Sequence, residues 1–355
     1  MKALRFHGPK DLRVEDVSQP RPGAGQVLIK VDWCGICGTD LHEFQAGPIF
    51  IPSADRPHPL TAEVPPVVMG HEFAGTVAEI GSEVTDIAVG DRVAVEPLLR
   101  CDTCAQCRAG NYNICERGGV YGLAGWGGGL AEYCAVDRRN AHVLPPGLST
   151  EVGALVEPLA VAWHAMVQSG FRPGESALVI GGGPIGLALL LCLKAAGASW
   201  IGVSEPSTAR KAMAESFGAD AVYDPRTDDV VQLSRAAVNG VGPQVSFDAS
   251  GLPATINTAL AAVRPTGTAY NVAIWETSAP IDMGLLLGGE RNLRSGLCYA
   301  GNDYPAVIAA LADNRIDPSA MITARIALTD VVDQGFTELI DNKEQHIKIL
   351  VQPGS

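Results

Sequence analysis

Leu178-Val179-Ile180-Gly181-Gly182-Gly183-Pro184-Ile185-Gly186 is the stretch whose reading decides the fold. It places G-x-G-x-x-G, through Gly181, Gly183 and Gly186, after an apolar strand at 177–180 and before an apolar helix at 185–196. Glycine lets such a turn tighten and brings backbone N–H groups and the positive end of the helix against a pyrophosphate, with Pro184 and Ile185 opening the helix. The pattern alone is weak in a chain with 40 glycines, but its surroundings strengthen it. A strand is expected at 200–204, a helix at 208–217, a strand at 245–248 and a helix at 254–263. Strands alternating with helices imply an α/β, doubly wound parallel sheet. Glu205 follows Gly186 by 19 residues, near the spacing of an acidic residue that grips the adenosine ribose hydroxyls. A carboxylate there repels a 2′-phosphate and favours NAD, while Ser207 and Arg210 keep NADP open. The plain alternative is a glycine-rich turn that binds nothing.

Outside this region the texture differs. Up to about residue 150 the chain shows short β-branched runs such as Val27-Leu28-Ile29-Lys30-Val31 and Asp91-Arg92-Val93-Ala94-Val95, broken by Pro and Gly, which read as strands with long loops. Beyond about 300, helical patterns at 304–312 and 329–341 and a strand-like 346–351 have no evident nucleotide role and are candidates to rejoin the first half. The length of 355 residues suits two domains. With 26 basic and 39 acidic side chains, the net charge of −13 disfavours nucleic acid or an anionic membrane surface as partner and leaves a small molecule as the default. The opening Met1-Lys2-Ala3-Leu4-Arg5-Phe6 has no apolar block, and the uncharged run 177–193 is broken by glycine and proline, so a cytoplasmic, non-membrane protein is expected.

Nine cysteines in a reducing compartment point to metal rather than disulfides. Cys101, Cys104, Cys107 and Cys115 are spaced C-x2-C-x2-C-x7-C, so four thiolates of one loop can close around a structural zinc. Iron–sulfur ligation is the rival, but its close-set run ends C-x3-C-P, whereas the last gap here is seven and Glu116 follows. A zinc-finger nucleic-acid binder is opposed by the chain's charge and by the few bases near the lobe, Arg100, Arg108 and Arg117. A second set is scattered: Cys37 in Gly35-Ile36-Cys37-Gly38-Thr39-Asp40-Leu41-His42, His71-Glu72, and Glu157 before Pro158. Singly these are ordinary core or surface residues. Together a thiolate, an imidazole and a carboxylate would leave the open position of a catalytic zinc, though spacing alone does not assemble them.

At these residues the sequence resembles the zinc-dependent medium-chain dehydrogenase/reductase family over essentially its whole length. The Cys-Gly-Thr-Asp-x-His stretch, Gly-His-Glu, the four-cysteine lobe and the glycine fingerprint occur in the family's order. The resemblance implies a GroES-like β-barrel catalytic domain with the zinc lobe at 1–155, a Rossmann domain at 156–300 and a return to the catalytic domain at 301–355. It also implies an NAD-dependent enzyme with one catalytic and one structural zinc per chain, commonly a homodimer or homotetramer. Cys37, His71 and Glu157 would hold the catalytic zinc, with Glu72 able to alternate with Glu157, and Thr39 and His42 would form a proton relay. Glu157-Pro158, where liver-type enzymes have cysteine, matches the polyol and butanediol branch. The segment Gly47-Pro48-Ile49-Phe50-Ile51-Pro52 through Pro57-His58-Pro59-Leu60-Thr61 looks like that of the diol-acting members, which implies a vicinal diol or hydroxyketone such as 2,3-butanediol, acetoin or diacetyl. By analogy Ile49, Phe50, Trp126, Ile274 and Tyr299 are pocket walls. A polyol or simple secondary alcohol as substrate, an idle insertion at 47–61, and a catalytically silent NAD-binding sensor are the competing readings.

Overall fold

The structure, a computed structural model, describes residues 1–275 and 278–355. It divides into two compact units: residues 1–157, 300–312 and 318–355 form the first, and 158–299 with 313–317 the second.

The first unit is built on a seven-stranded sheet. Its main path runs Ala141–Val143, Arg92–Val95, Glu72–Ile80, Gln26–Gly35, Lys348–Gln352 and Ile322–Ala327, with Tyr133–Asp137 also paired to Gln26–Gly35. A three-stranded sheet joins Asp11–Asp16, Lys2–Gly8 and Val67–Val68. The β-branched runs supply the core, where Ile29, Val31, Val93 and Val95 pack with Phe6 and Phe73. Ile349, Val351 and Phe336 lie in the same core, so the carboxyl-terminal segment is part of the first layer. This places the 348–352 strand directly beside Gly35 and Cys34.

The second unit holds six parallel strands in the order Ala221–Tyr223, Trp200–Ser204, Ser176–Ile180, Val245–Asp248, Thr268–Asn271 and Asn292–Ser295. The sheet starts in the middle and is wound outward on both sides, the strand order of a dinucleotide fold. Its central strand Ser176–Ile180 is buried throughout, as a strand covered on both faces must be, and the helix Pro184–Ala195 buries every residue from Gly186 to Leu193.

The expected helix at 329–341 is instead a 3₁₀ turn Leu328–Asp330, a π-helical Val331–Thr337 and one α-turn Glu338–Asp341. The wider turn turns Val331 and Phe336 together into the core, with Gly335 against Ile36.

Candidate active site and metal centres

Cys37 stands at the N-cap of the helix Gly38–Ala46, where Asp40 Oδ2 accepts its backbone N–H at 2.9 Å. Strand Glu72–Ile80 pairs with Gln26–Gly35, Glu72 opposite Gly35, and so brings His71 and Glu72 to the same place. One ligand atom each of Cys37, His71 and Glu72 lies within 4.8 Å of the others. Two of the three segments that spacing could not assemble therefore converge. His71 Nδ1 faces Asp40 Oδ1 at 3.5 Å, which leaves Nε2 as the ligand atom; a metal-bound histidine is steered through its other nitrogen in this way.

The charges around this point favour a cation. Burial works against the His71 imidazolium, yet Asp40 and Cys37 outweigh it and raise His71 well above the ordinary histidine value. Lys348, 2% exposed, holds both carboxylate oxygens of Glu72 at 2.7 and 2.6 Å. Burial again opposes its charge, and Glu72, Cys37 and Glu157 overcome it, raising the lysine. Cys37, Glu72 and Glu157 thus act on one lysine while Asp40 and Cys37 act on His71, and a site with that excess of acid fits a divalent ion. Gly35 makes the room: a Cβ there would sit 2.2 Å from Glu72 Oε2 and 3.2 Å from Lys348 Cδ. Glu157 is buried and acts on Lys348, but lies outside the 4.8 Å cluster. Thr39 Oγ1 is 3.7 Å from Cys37 Sγ, and His42 is half-buried one helical turn further along.

The lobe cysteines also converge, with one sulfur each within 4.8 Å. Backbone N–H groups of Cys101, Cys104 and Cys107 donate to the sulfurs of Cys115, Cys101 and Cys104 at 3.3, 3.4 and 3.4 Å, the pattern that stabilises thiolates. The Thr103 hydroxyl, with neighbouring N–H groups, lowers Cys101 to about 5, and Cys104 is lowered by the Cys107 N–H. Burial and the adjacent sulfurs push Cys107 up to about 12, and a cation among the four sulfurs would reverse that. Sequence reasoning missed the lobe's anchor. The Tyr112 hydroxyl donates to the buried Glu96 at 2.7 Å, His142 meets the other Glu96 oxygen at 2.8 Å, and Arg100 covers the Tyr112 ring.

In the second unit Gly181 takes φ +103°, and a Cβ on Gly186 would strike the Gly181 carbonyl oxygen, so both positions need glycine. Gly183 caps the helix that Pro184 and Ile185 begin. Glu205 is buried at the end of strand Trp200–Ser204, where its carboxylate accepts the N–H of Gly182 at 2.6 Å and of Ser207 at 2.8 Å. Arg210 Nη1 is 3.8 Å from where a Gly183 Cβ would lie.

Of the expected pocket walls, Ile49, Phe50, Trp126 and Ile274 expose 41–46% of their surface, and Tyr299 is buried. The 47–61 segment and the adjoining Glu63 are tied to residues 118–126. His58 Nε2 meets the Gly118 carbonyl at 3.1 Å, Thr61 donates to the Ala124 carbonyl at 2.6 Å, and Glu63 accepts the Trp126 N–H at 2.9 Å.

Residues 23–146 match the alcohol dehydrogenase GroES-like domain and residues 184–313 the zinc-binding dehydrogenase family. The (R,R)-butanediol dehydrogenase of Bacillus subtilis is 44% identical over 99% of this chain and 100% of that protein. A probable diacetyl reductase ((R)-acetoin forming) of Saccharomyces cerevisiae is 39% identical over 100% of this chain and 91% of its own length. The crystal structure of 2R,3R-butanediol dehydrogenase from Bacillus subtilis superposes with a TM-score of 0.93 at 43% identity, covering 99% of each chain. The full-length identity and the two matched domains together establish that this chain belongs to the zinc-binding alcohol dehydrogenase family, with a GroES-like domain and a Rossmann-type domain.

Proposed function

We propose that this chain interconverts a vicinal diol and its hydroxyketone, 2,3-butanediol and acetoin, using NAD and a zinc held by Cys37, His71 and one glutamate. The convergence of Cys37, His71 and Glu72 over Asp40 and Lys348 carries this reading. A zinc held there would supply Lewis acidity toward the alcohol oxygen, and NAD bound at the glycine turn would serve as the hydride acceptor. Cys37 and His71 bind, and Asp40 fixes the tautomer of His71. One glutamate completes the ligand set: Glu72, which stands in the cluster with both oxygens on Lys348, and Glu157, which acts on Lys348 from outside it, alternate in that place. The Thr39 hydroxyl, beside Cys37, would accept the substrate proton while passing on its own, by way of the nicotinamide ribose, to His42, whose imidazole suits release to solvent near neutral pH. At the glycine turn Glu205 receives the ribose hydroxyls, its charge favouring NAD over NADP.

A homodimer or homotetramer accompanies this reading. The strand Asn292–Ser295 is exposed along its length at the sheet edge, and Leu287, Leu293 and Leu297 near it face solvent. A cytoplasmic setting would keep the lobe thiols reduced; no helix among the described residues is long and apolar enough to cross a membrane.

The test follows nicotinamide absorbance with NAD or NADP against the separate butanediol stereoisomers, acetoin, sorbitol, threonine and ethanol. The highest kcat/KM is expected for (R,R)-butanediol with NAD. A preference for sorbitol would make the chain a polyol dehydrogenase, and no turnover with any alcohol would leave a cofactor-binding sensor.

A further inference from the structure

Asp224 holds two cations beside Glu205. Strands Trp200–Ser204 and Ala221–Tyr223 run parallel with Ser204 opposite Tyr223, so Glu205 and Asp224 leave the sheet side by side, and the Glu205 N–H donates to the Tyr223 carbonyl at 2.9 Å. Both oxygens of the Asp224 carboxylate are taken. Lys211 Nζ donates to Oδ2 at 2.7 Å, while Arg226 grips the group with Nε on Oδ1 at 2.8 Å and Nη2 on Oδ2 at 2.6 Å. Arg226 Nη2 also reaches the carbonyl of Pro206, the residue after Glu205, at 2.6 Å. Lys211 belongs to the helix Thr208–Ser216, whose N-cap is Ser207. Asp228 is engaged by the Asp224 N–H at 2.8 Å and by the Thr227 hydroxyl. Stability accounts for one cation on Asp224 and not for two. Lys211 alone would balance the carboxylate; Arg226 adds repulsion against Lys211, is 63% exposed, and an ion pair so open to water contributes little. A ribose read by Glu205 would put a 2′-phosphate, which NADP carries, at this same end of the strands. There the phosphate would need cations that are free to turn, since a guanidinium with both prongs on a carboxylate must give up that bond to take it.

We propose that Asp224 is a specificity-determining residue for the cofactor. By occupying Lys211 and Arg226 it denies a 2′-phosphate the two cations beside Glu205, so that NADP is refused for want of a partner as well as by the charge of Glu205. The proposal rests on the NAD-dependent reading above. Release of the two side chains would turn the same strand end into a phosphate-binding one, without any new residue.

Calorimetric binding of 5′-AMP and of 2′,5′-ADP to the zinc-loaded full chain tests this without any alcohol, because the two probes differ only in the 2′-phosphate. The wild type should prefer 5′-AMP. In Asp224→Asn, which keeps the shape and removes the charge that holds the cations, that preference should fall on the order of tenfold, mainly through tighter 2′,5′-ADP. Asp224→Ser reads the same release should the asparagine variant fold poorly. Adding Lys211→Met and Arg226→Met to Asp224→Asn should bring the preference back near the wild type's, since the released cations are then gone. Asp224→Glu, which keeps the charge on a longer stem, should keep the preference. An unmoved preference in Asp224→Asn and Asp224→Ser would overturn the proposal. So would a loosened preference that survives the loss of both cations, because the carboxylate would then act by its own charge and not by what it holds. The two readings fail differently: a wild type that binds neither NAD nor 5′-AMP defeats the NAD-dependent reading and this proposal with it, whereas NAD binding with an unmoved preference defeats the proposal alone.

Discussion

Lys348 Nζ sits 2.7 and 2.6 Å from the two carboxylate oxygens of Glu72, and both side chains are almost completely buried. Strand Lys348–Gln352 delivers the lysine from the far end of the sequence beside Gly35, so a residue without a sequence motif governs one of the two candidate carboxylate ligands. Lys348→Met leaves Glu72 buried without its partner and should cost roughly 3–5 kcal/mol of stability. The double variant Glu72→Gln, Lys348→Met should recover most of that loss, measured by denaturant unfolding of the zinc-loaded protein. If the single and double variants were equally unstable, the pair would not be coupled.

The lobe should bind its own zinc. Cys104→Ser is expected to remove one zinc per chain and to lower Tm by several degrees while the Cys37 site keeps its metal, as elemental analysis and calorimetry would show. Unchanged zinc content would mean that the four sulfurs hold no ion. Tyr112→Phe, which breaks the 2.7 Å bond to Glu96, should lower stability by about 1 kcal/mol without loss of metal.

Glu205→Gln removes the charge and keeps an acceptor oxygen for one of the Gly182 and Ser207 N–H groups, the other then facing the amide NH2. The ratio of kcat/KM for NAD to that for NADP should fall on the order of tenfold, the repulsion of a 2′-phosphate having gone, with Arg210 close to the glycine turn to receive it. An unchanged ratio would assign ribose recognition to another residue.

Hydrogen bonds from Arg226 and Lys211 hold the Asp224 carboxyl well below the usual range. A carboxyl depressed in the folded state contributes stability that is complete above its unfolded value of about 4 and is lost as pH falls through the folded one. Asp224→Asn should therefore destabilise at neutral pH and flatten the decline of Tm below about pH 4. An acid limb as steep as the wild type's would contradict this.

The fold was legible where one physical constraint dominates. Two buried strands and their helices follow from apolar runs around Gly181 and Gly186, which the turn requires by φ and by close approach. The edge strand Asn292–Ser295 was not legible, because four exposed residues with a single leucine among them have no apolar period to reveal a strand. Strand Ile322–Ala327 was missed because half-buried alternation over six residues is faint. The lobe cysteines converge within one loop and were read from spacing, whereas Cys37, His71 and Glu72 meet only through the pairing of Gln26–Gly35 with Glu72–Ile80. Asp40 lay in plain view within the quoted motif, but its aim at His71 depends on the helix that Cys37 caps. Lys348 carries no local pattern at all; its role comes from what the sheet brings against it.

The central claim is that alcohol oxidation happens at a metal held by Cys37, and Cys37→Ser measured for zinc content, NAD affinity and turnover of (R,R)-butanediol tests it most directly. The account expects about two zinc ions per chain in the wild type and about one in the variant, with NAD affinity preserved and turnover abolished. A variant that keeps both metals, or that still oxidises the diol, would contradict it.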